Sequence, residues 1–364
     1  MIIFCIGDPH FKEDVILELD EMCNEIYLKI ELRKPDIIVV MGDVLDRFDN
    51  ASVYAHSLCI KFLLKLSTYA TTYCLIGNHD RPNNSDFMGS YHFFYGISND
   101  RLIIIDKARI IQYGDYKFMF IPYVATGRFK EALYTVMYED CYDILSIDYD
   151  DFERKIKEYK LIFAHQEFKG CSLRAQRKSV NGDIWSDDYC PIISGHIHEH
   201  HMLGHNILYV GTPRRVTMSE SDYKVTCTVY INSSPNCVED KEDYNFNGML
   251  IYNDKLKIYP KEICYTDIHG ISDFLKNNKW DVKYKKYMVK CSEDEMKMIQ
   301  STYSSQLRKV KKQYNIKIEF DAYKTLFMEN INKNIHKSYK ELLYNAIEND
   351  EDKEQLLFLY EKIN

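Results

Sequence analysis

Nine polar residues recur just after short apolar runs: Asp8 and His10 in "GDPH", Asp43 and Asp46 in "GDVLD", Asn78 and His79 in "GNHD", His165 in "FAH", and His196 and His198 in "GHIH". Carboxylate, amide oxygen and imidazole together make a ligand set for Mn, Fe or Zn rather than Mg or Ca, because imidazole nitrogen is a poor match for hard cations. The pairs Asp8/His10 and His196/His198 can each offer two ligands from one turn, and glycines at 7, 42, 77 and 195 let the backbone come close. Five of the twelve histidines fall between Ile192 and His205. His196 and His198 directly follow an apolar run, whereas His200, His201 and His205 lie beyond it and read as a polar loop. His56, and His92 within "YHFFY", read as packed or surface residues. Asp80 and Arg81 complete the "GNHDR" turn, either supporting it or contacting a phosphate.

The elements that must position these residues follow from hydrophobic period. Ile2 to Ile6, Ile37 to Met41, Thr72 to Ile76, Leu161 to Ala164, Pro191 to Ser194 and Ile207 to Val210 are short apolar runs of strand type. Ile16, Leu19, Cys23, Ile26, Tyr27 and Ile30 share one helical face; further helices are expected near Val53 to Leu66 and Asp151 to Tyr159. Two hairpins are expected between Leu102 and Tyr123. Alternation of strand and helix defines an α/β class, and every candidate ligand falls beyond the C-terminal end of a strand, where such folds gather their chemistry. Past about Met218 the character changes to polar loop, a hairpin-like "GMLIYNDKLKIYP" and a basic stretch.

Net charge is −8, which alone speaks against a nucleic-acid binder. Its distribution is uneven. Between Lys276 and Lys317 twelve Lys/Arg face four acids, as in a basic module attached to an acidic one. The eleven cysteines lack C-x-x-C spacing, which argues against a disulfide framework and a cysteine-ligated zinc. With no basic N-terminal region and no apolar run of membrane-spanning length, the sequence is expected to be soluble, intracellular and not secreted.

In their order, "GDPH", "GDVLDR", "GNHD", "FAH" and "GHIH" resemble the calcineurin-like metallophosphoesterase pattern. The resemblance implies a four-layer αββα sandwich holding two divalent ions. Asp8, His10 and His198 would bind one ion, Asn78, His165 and His196 the other, with Asp43 bridging. Such a bridge can hold two ions about 3.5–4 Å apart, the spacing that clamps the attacking and leaving oxygens of a phosphoryl displacement. His79 would stay off the metals as the acid, with Asp46 orienting it.

"LYVGTPRRV" after "SGHIH", and "FAHQEFKG" around His165, further resemble SbcD-type nucleases, the nuclease subunit of the break-repair complex called MRN in eukaryotes, most of all its compact phage form. Asp46 stands where many cellular members have His. "GNHD" ends in Asp where Ser/Thr protein phosphatases have Glu. The resemblance implies an Mn²⁺-dependent exonuclease or endonuclease for duplex ends and single strands, a homodimer working with an SbcC-type SMC-like ABC ATPase in repair or recombination. Its layout implies a nuclease domain over 1–218, a small α+β DNA-binding cap over 219–320, and a helical tail over 321–364 that binds the ATPase through Ile331, Ile335, Tyr339, Leu343 and Ile347. Candidate DNA contacts are Lys169, Arg174, Arg177, Lys178, Arg214, Arg215, Lys285, Lys286, Lys311 and Lys312. A phosphoprotein or nucleotide phosphatase, and a DNA-tethering scaffold, are the alternatives.

Overall fold

Strand β1 (Ile2–Ile6) is apolar along its whole length because both of its faces are covered. It runs parallel to β2 (Ile37–Val40), which pairs with β3 (Thr71–Leu75) and then β4 (Leu102–Ile105). Parallel neighbours need a long crossover, supplied here by α1 (Ile16–Arg33) and α2 (Val53–Tyr69). Helix α1 ends at Lys34, left-handed at φ 49°, and the Ser52 hydroxyl caps α2 by accepting from Ala55 N at 3.1 Å. Leu19, Cys23, Ile26 and Ile30 of α1, with Phe62, Leu63 and Leu66 of α2, bury one face of the sheet against Phe4, Ile6, Ile38 and Val40. The computed structural model describes residues 1–47, 52–138, 148–173, 177–217, 219–232, 244–257, 262–277, 285–314 and 316–323.

The alternate residues Ile3, Cys5, Ile37 and Val39 point into a second core shared with another sheet. That sheet contains β5 (Arg109–Tyr113), β6 (Tyr116–Ile121), β7 (Leu161–His165), β8 (Ile192–Gly195), β9 (His201–Leu203) and β10 (Ile207–Tyr209), in the order β5-β6-β7-β8-β10-β9. Its outer face packs on α3 (Phe129–Met137) and α4 (Tyr149–Ile156) through Phe129, Leu133, Phe152 and Ile156. The layers are helix, sheet, sheet, helix, the expected αββα sandwich. Phe163, fully buried between the sheets, lies 4.9 Å from Phe120 and 6.1 Å from Phe118 between ring centroids. Phe163→Ala should therefore lower unfolding free energy by about 3–5 kcal/mol, checked by chemical denaturation of the metal-free protein.

Two expectations are corrected. Only β5 and β6 form a hairpin between Leu102 and Tyr123; β4 pairs parallel to β3 in the other sheet. Apolar alternation marks a strand without saying which neighbour it takes. The first domain does not end at 218. Strand β11 (Val225–Tyr230) pairs antiparallel with β1, β13 (Met249–Lys255) with β11, and β12 (Tyr244–Phe246) with β13. These strands protect the edge of β1 and bury Val225, Cys227, Val229 and Ile251 in the inter-sheet core, so the first unit runs from Met1 to Lys261.

The second unit begins at Glu262. It has a parallel sheet of β14 (Glu262–Asp267), β15 (Lys285–Ser292) and β16 (Lys317–Tyr323), with α5 (Ile268–Asn277), α6 (Glu293–Thr302) and α7 (Ser304–Tyr314). Ile271, Leu275, Val289, Ile299 and Val310 form its core. Ser292 and Glu295 close a capping box on α6. The apolar repeat of the tail from Ile331 onward lies outside the described residues. Among the described residues no helix is long and apolar enough to cross a membrane.

Candidate metal centre

All the expected ligands converge at one end of the two sheets. Asp8 and His10 leave β1, Asp43 leaves β2, Asn78 and His79 leave β3, His165 ends β7, and His196 and His198 leave β8. Three of them have left-handed backbones: His10 at φ 48°, Asp43 at 46° and His196 at 76°. Non-glycine residues in this region cost of order 1–3 kcal/mol each and persist only where the surroundings enforce them. The glycine before His196 is required by space, because a Cβ on Gly195 would come within 2.4 Å of Asp8 Oδ1.

The side chains form two groups, Asp8/His10/His198 and Asp43/His165/His196, each with ligand atoms within 4.8 Å of one another. In the first, the Nε2 atoms of His10 and His198 face each other at 3.1 Å. In the second, Asn78 Oδ1 lies 2.8 Å from His196 Nδ1 and 3.1 Å from His165 Nε2. Asp43 Oδ2 is 3.3 Å from His165 Nε2 and 4.0 Å from His10 Nε2, so one carboxylate oxygen faces both groups. Its other oxygen accepts from His79 N at 2.8 Å.

The donor set fits divalent cations. Asp8 Oδ2 accepts from His196 N at 2.8 Å, but Oδ1 is buried without a hydrogen-bond partner, as is His10 Nδ1. Orphaned polar atoms of this kind are costly unless something charged or polar answers them. Burial pushes the Asp8 carboxyl well above its usual range, and burial drives His10 well below and His196 below theirs, which leaves both imidazoles in the neutral, ligating form. Burial opposes protonation of His165 too, yet Asp43 and Asp8 lift it to about 9. Outer partners fix the rings: His165 Nδ1 donates to the Met41 carbonyl at 2.7 Å, and Tyr123 stacks on His196 at 5.7 Å. Glu220, which no sequence pattern singled out, accepts from His198 Nδ1 at 2.8 Å. Glu167 Oε2 lies 3.8 Å from His196 Nε2; its position two residues after His165 was the one available signal.

His79 stands apart from both groups. Its ring is 38% exposed, with Nε2 4.0 Å from Asp43 Oδ2 and Nδ1 2.5 Å from the main-chain carbonyl of Asp46. Here the expected role of Asp46 is corrected. Its carboxylate lies 3.8 Å from His10 Nδ1 and 3.8 Å from Lys12 Nζ, and only its backbone holds His79. Asp80 is fully buried and ties two loops together, accepting from Leu45 N and Gly77 N at 3.0 Å each; Arg81 is buried and donates to the carbonyls of Tyr123 and Asp86. Both are structural. His200 contacts the Val210 carbonyl and Asn253, His201 accepts from Ser172 N and stacks on Tyr209, and His56 and His92 lie against Phe93 and Asp106. His205 is exposed.

The metal residues open into a cleft of about 1290 Å³ whose rim includes Arg177 and Lys178. Lys169 is exposed, and Arg174 lies outside the described residues. One proposed DNA contact, Arg214, is overturned. Arg214 is buried, donating to the carbonyls of Pro9 and His10 at 3.2 and 2.7 Å and lying 3.8 Å from Glu18. Arg215 is 12% exposed and paired to Asp222 at 2.7 Å. A run of arginines signals charge but not burial. Arg214→Ala should thus destabilise the protein by about 3–5 kcal/mol, as removal of one member of a buried pair does, read as a loss of thermal stability in the absence of DNA. In the second unit Lys286 pairs with Glu319 at 2.7 Å, while the side chains of Lys285, Lys311 and Lys312 lie outside the described set.

The fold and this convergence of carboxylate, amide and imidazole form a candidate divalent-metal centre, and the chain belongs to the calcineurin-like phosphoesterase family, whose profile matches residues 1–200. Two viral proteins bearing the name phosphoesterase are similar to it. Protein 078R of Invertebrate iridescent virus 3 is 32% identical over 222 residues, 60% of this chain and 59% of that protein. Protein 244L of Invertebrate iridescent virus 6 is 34% identical over 221 residues, 60% of this chain and 72% of that protein. The match to 078R thus spans less than two thirds of its length, and neither name states a substrate.

Proposed function

We propose that this chain is a metal-dependent nuclease of the SbcD type that hydrolyses DNA phosphodiester bonds. The observation that carries the reading is the placement of Asp43 Oδ2 toward both ligand groups, above a cleft rimmed by Arg177 and Lys178. Asp8, His10 and His198 would hold one ion and Asn78, His165 and His196 the other, with Asp43 shared. When bound, the ions supply an acidified water and neutralise charge on the phosphoryl oxygens. Mixed nitrogen and oxygen donors favour Mn²⁺ over Mg²⁺.

The chain's own groups would do the rest. His79 keeps Nδ1–H on the Asp46 carbonyl, which leaves Nε2 as the atom that carries a proton to the departing alkoxide. Arg177 and Lys178 would hold the phosphate backbone without reading sequence, as an end-processing nuclease requires. Association of the tail with an SbcC-type ATPase, and a homodimer, complete the proposal.

The deciding experiment gives the purified protein Mn²⁺ and end-labelled duplex or single-stranded DNA, beside para-nitrophenyl phosphate and a phosphopeptide. Metal-dependent shortening of DNA is expected. Rapid turnover of the monoesters with DNA left intact would make the protein a phosphatase instead.

A further inference from the structure

Behind His198 lies a buried charged group that the proposed chemistry does not use. The side chains of Glu220 and Lys224 are each 1% exposed, with Oε2 and Nζ 3.0 Å apart. Glu220 Oε1 accepts from His198 Nδ1 at 2.8 Å and from Thr217 N at 3.0 Å, and Oε2 accepts from Val216 N at 3.0 Å. Lys224 Nζ also donates to Thr212 Oγ1 at 2.9 Å and to the His198 carbonyl at 3.2 Å. The same histidine is therefore gripped at its ring by the carboxylate and at its backbone by the ammonium.

A buried ion pair is a poor way to gain stability, since packed apolar residues of similar volume do as well or better. What this pair adds is a fixed imidazole. With the proton of His198 on Nδ1 and directed at Glu220, the lone pair on Nε2 faces His10 Nε2 at 3.1 Å, within the group that includes Asp8. His165 in the other group is oriented by a neutral main-chain carbonyl. A carboxylate does more than a carbonyl, because it also raises the basicity of the ligand.

We propose that Glu220, anchored by Lys224, is a positioning residue that fixes the ion-binding tautomer of His198 and thereby sets the affinity of the Asp8/His10/His198 site, leaving the Asn78/His165/His196 site unaffected. This rests on the metal-binding reading above. Loss of such an outer partner typically weakens metal affinity by about 10–100-fold.

The test uses the full chain and Mn²⁺ alone. The charge-balanced double variant Glu220→Gln/Lys224→Met is titrated by chelator competition, with His198→Ala marking which ion is lost. One ion should bind about 10–100-fold more weakly while the other keeps the parent affinity. In the metal-free proteins, nitrogen-15 spectra of the imidazoles should show His198 as the Nδ1–H tautomer in the parent and as a mixture in the variant. Unchanged affinity for both ions, or equal weakening of both, overturns the proposal. Should the double variant lose its cooperative thermal transition, Glu220→Asp withdraws the carboxylate from His198 while keeping a charge beside Lys224, and the same selective loss is expected. A parent that binds no Mn²⁺ would refute the metal reading, and the tautomer comparison would then decide the role of Glu220 by itself.

Discussion

His79→Ala should leave both ions bound and DNA affinity nearly unchanged while turnover falls by about 10²–10⁴-fold, the usual contribution of a general acid. The geometry behind this is the separation of His79 from the two ligand groups. Its ring is partly exposed to the cleft, and its backbone N–H, which alanine retains, is what holds Asp43 Oδ1. His196→Ala and His198→Ala should each deplete one ion. His200→Ala and His201→Ala should leave metal content intact, because those rings are engaged with Asn253 and with Ser172 and Tyr209. Metal content, DNA affinity and Mn²⁺-dependent cleavage on the same five preparations check the set. Metal loss or full activity in His79→Ala would overturn the division of labour.

Asp43→Asn should weaken both ions together and abolish cleavage. Asparagine tolerates the left-handed backbone at this position and keeps an oxygen for His79 N, so the fold has no reason to fail. What disappears is the negative charge on the one oxygen that faces both His10 and His165. Loss of a shared ligand should exceed the roughly 10–100-fold that loss of an outer partner costs each ion. Elemental analysis after desalting is the check, and two tightly retained ions per chain would rule out a bridging role.

Much of this centre can be read from one strand at a time. Strands β1, β2, β3, β7 and β8 are buried on both faces, and the residues at or just beyond their C-terminal ends carry the ligands in a fixed order. That much is local: a short buried run, in four of the five cases a glycine, then a carboxylate, amide or imidazole, each determined by neighbours within a few residues. The histidines of "GHIHEHH" also separate locally, since His196 and His198 follow directly on the end of β8 at Gly195, whereas His200 immediately precedes β9 and His201 begins it.

Other features have no local signature. The pairing of β11 with β1 joins Tyr230 to Ile2, and nothing in "VTCTVY" names its partner; an unpaired edge and a half-covered core decide it. Arg214 reads as an exposed cation because residue type reports charge, whereas its burial depends on the Pro9 and His10 carbonyls being brought alongside. Asp46 was expected to act through its carboxylate, but the contact to His79 is made by its main chain, which has the same chemistry in every residue. Glu220 is one acid among many until folding sets it against His198. His10 and His198 meet across 188 residues of sequence. The sequence by itself determined which residues could bind metal and at which strand ends they stand. The tertiary structure decided which of them share an ion and which charges are spent inside the protein, because those depend on packing between segments that have no short-range coupling.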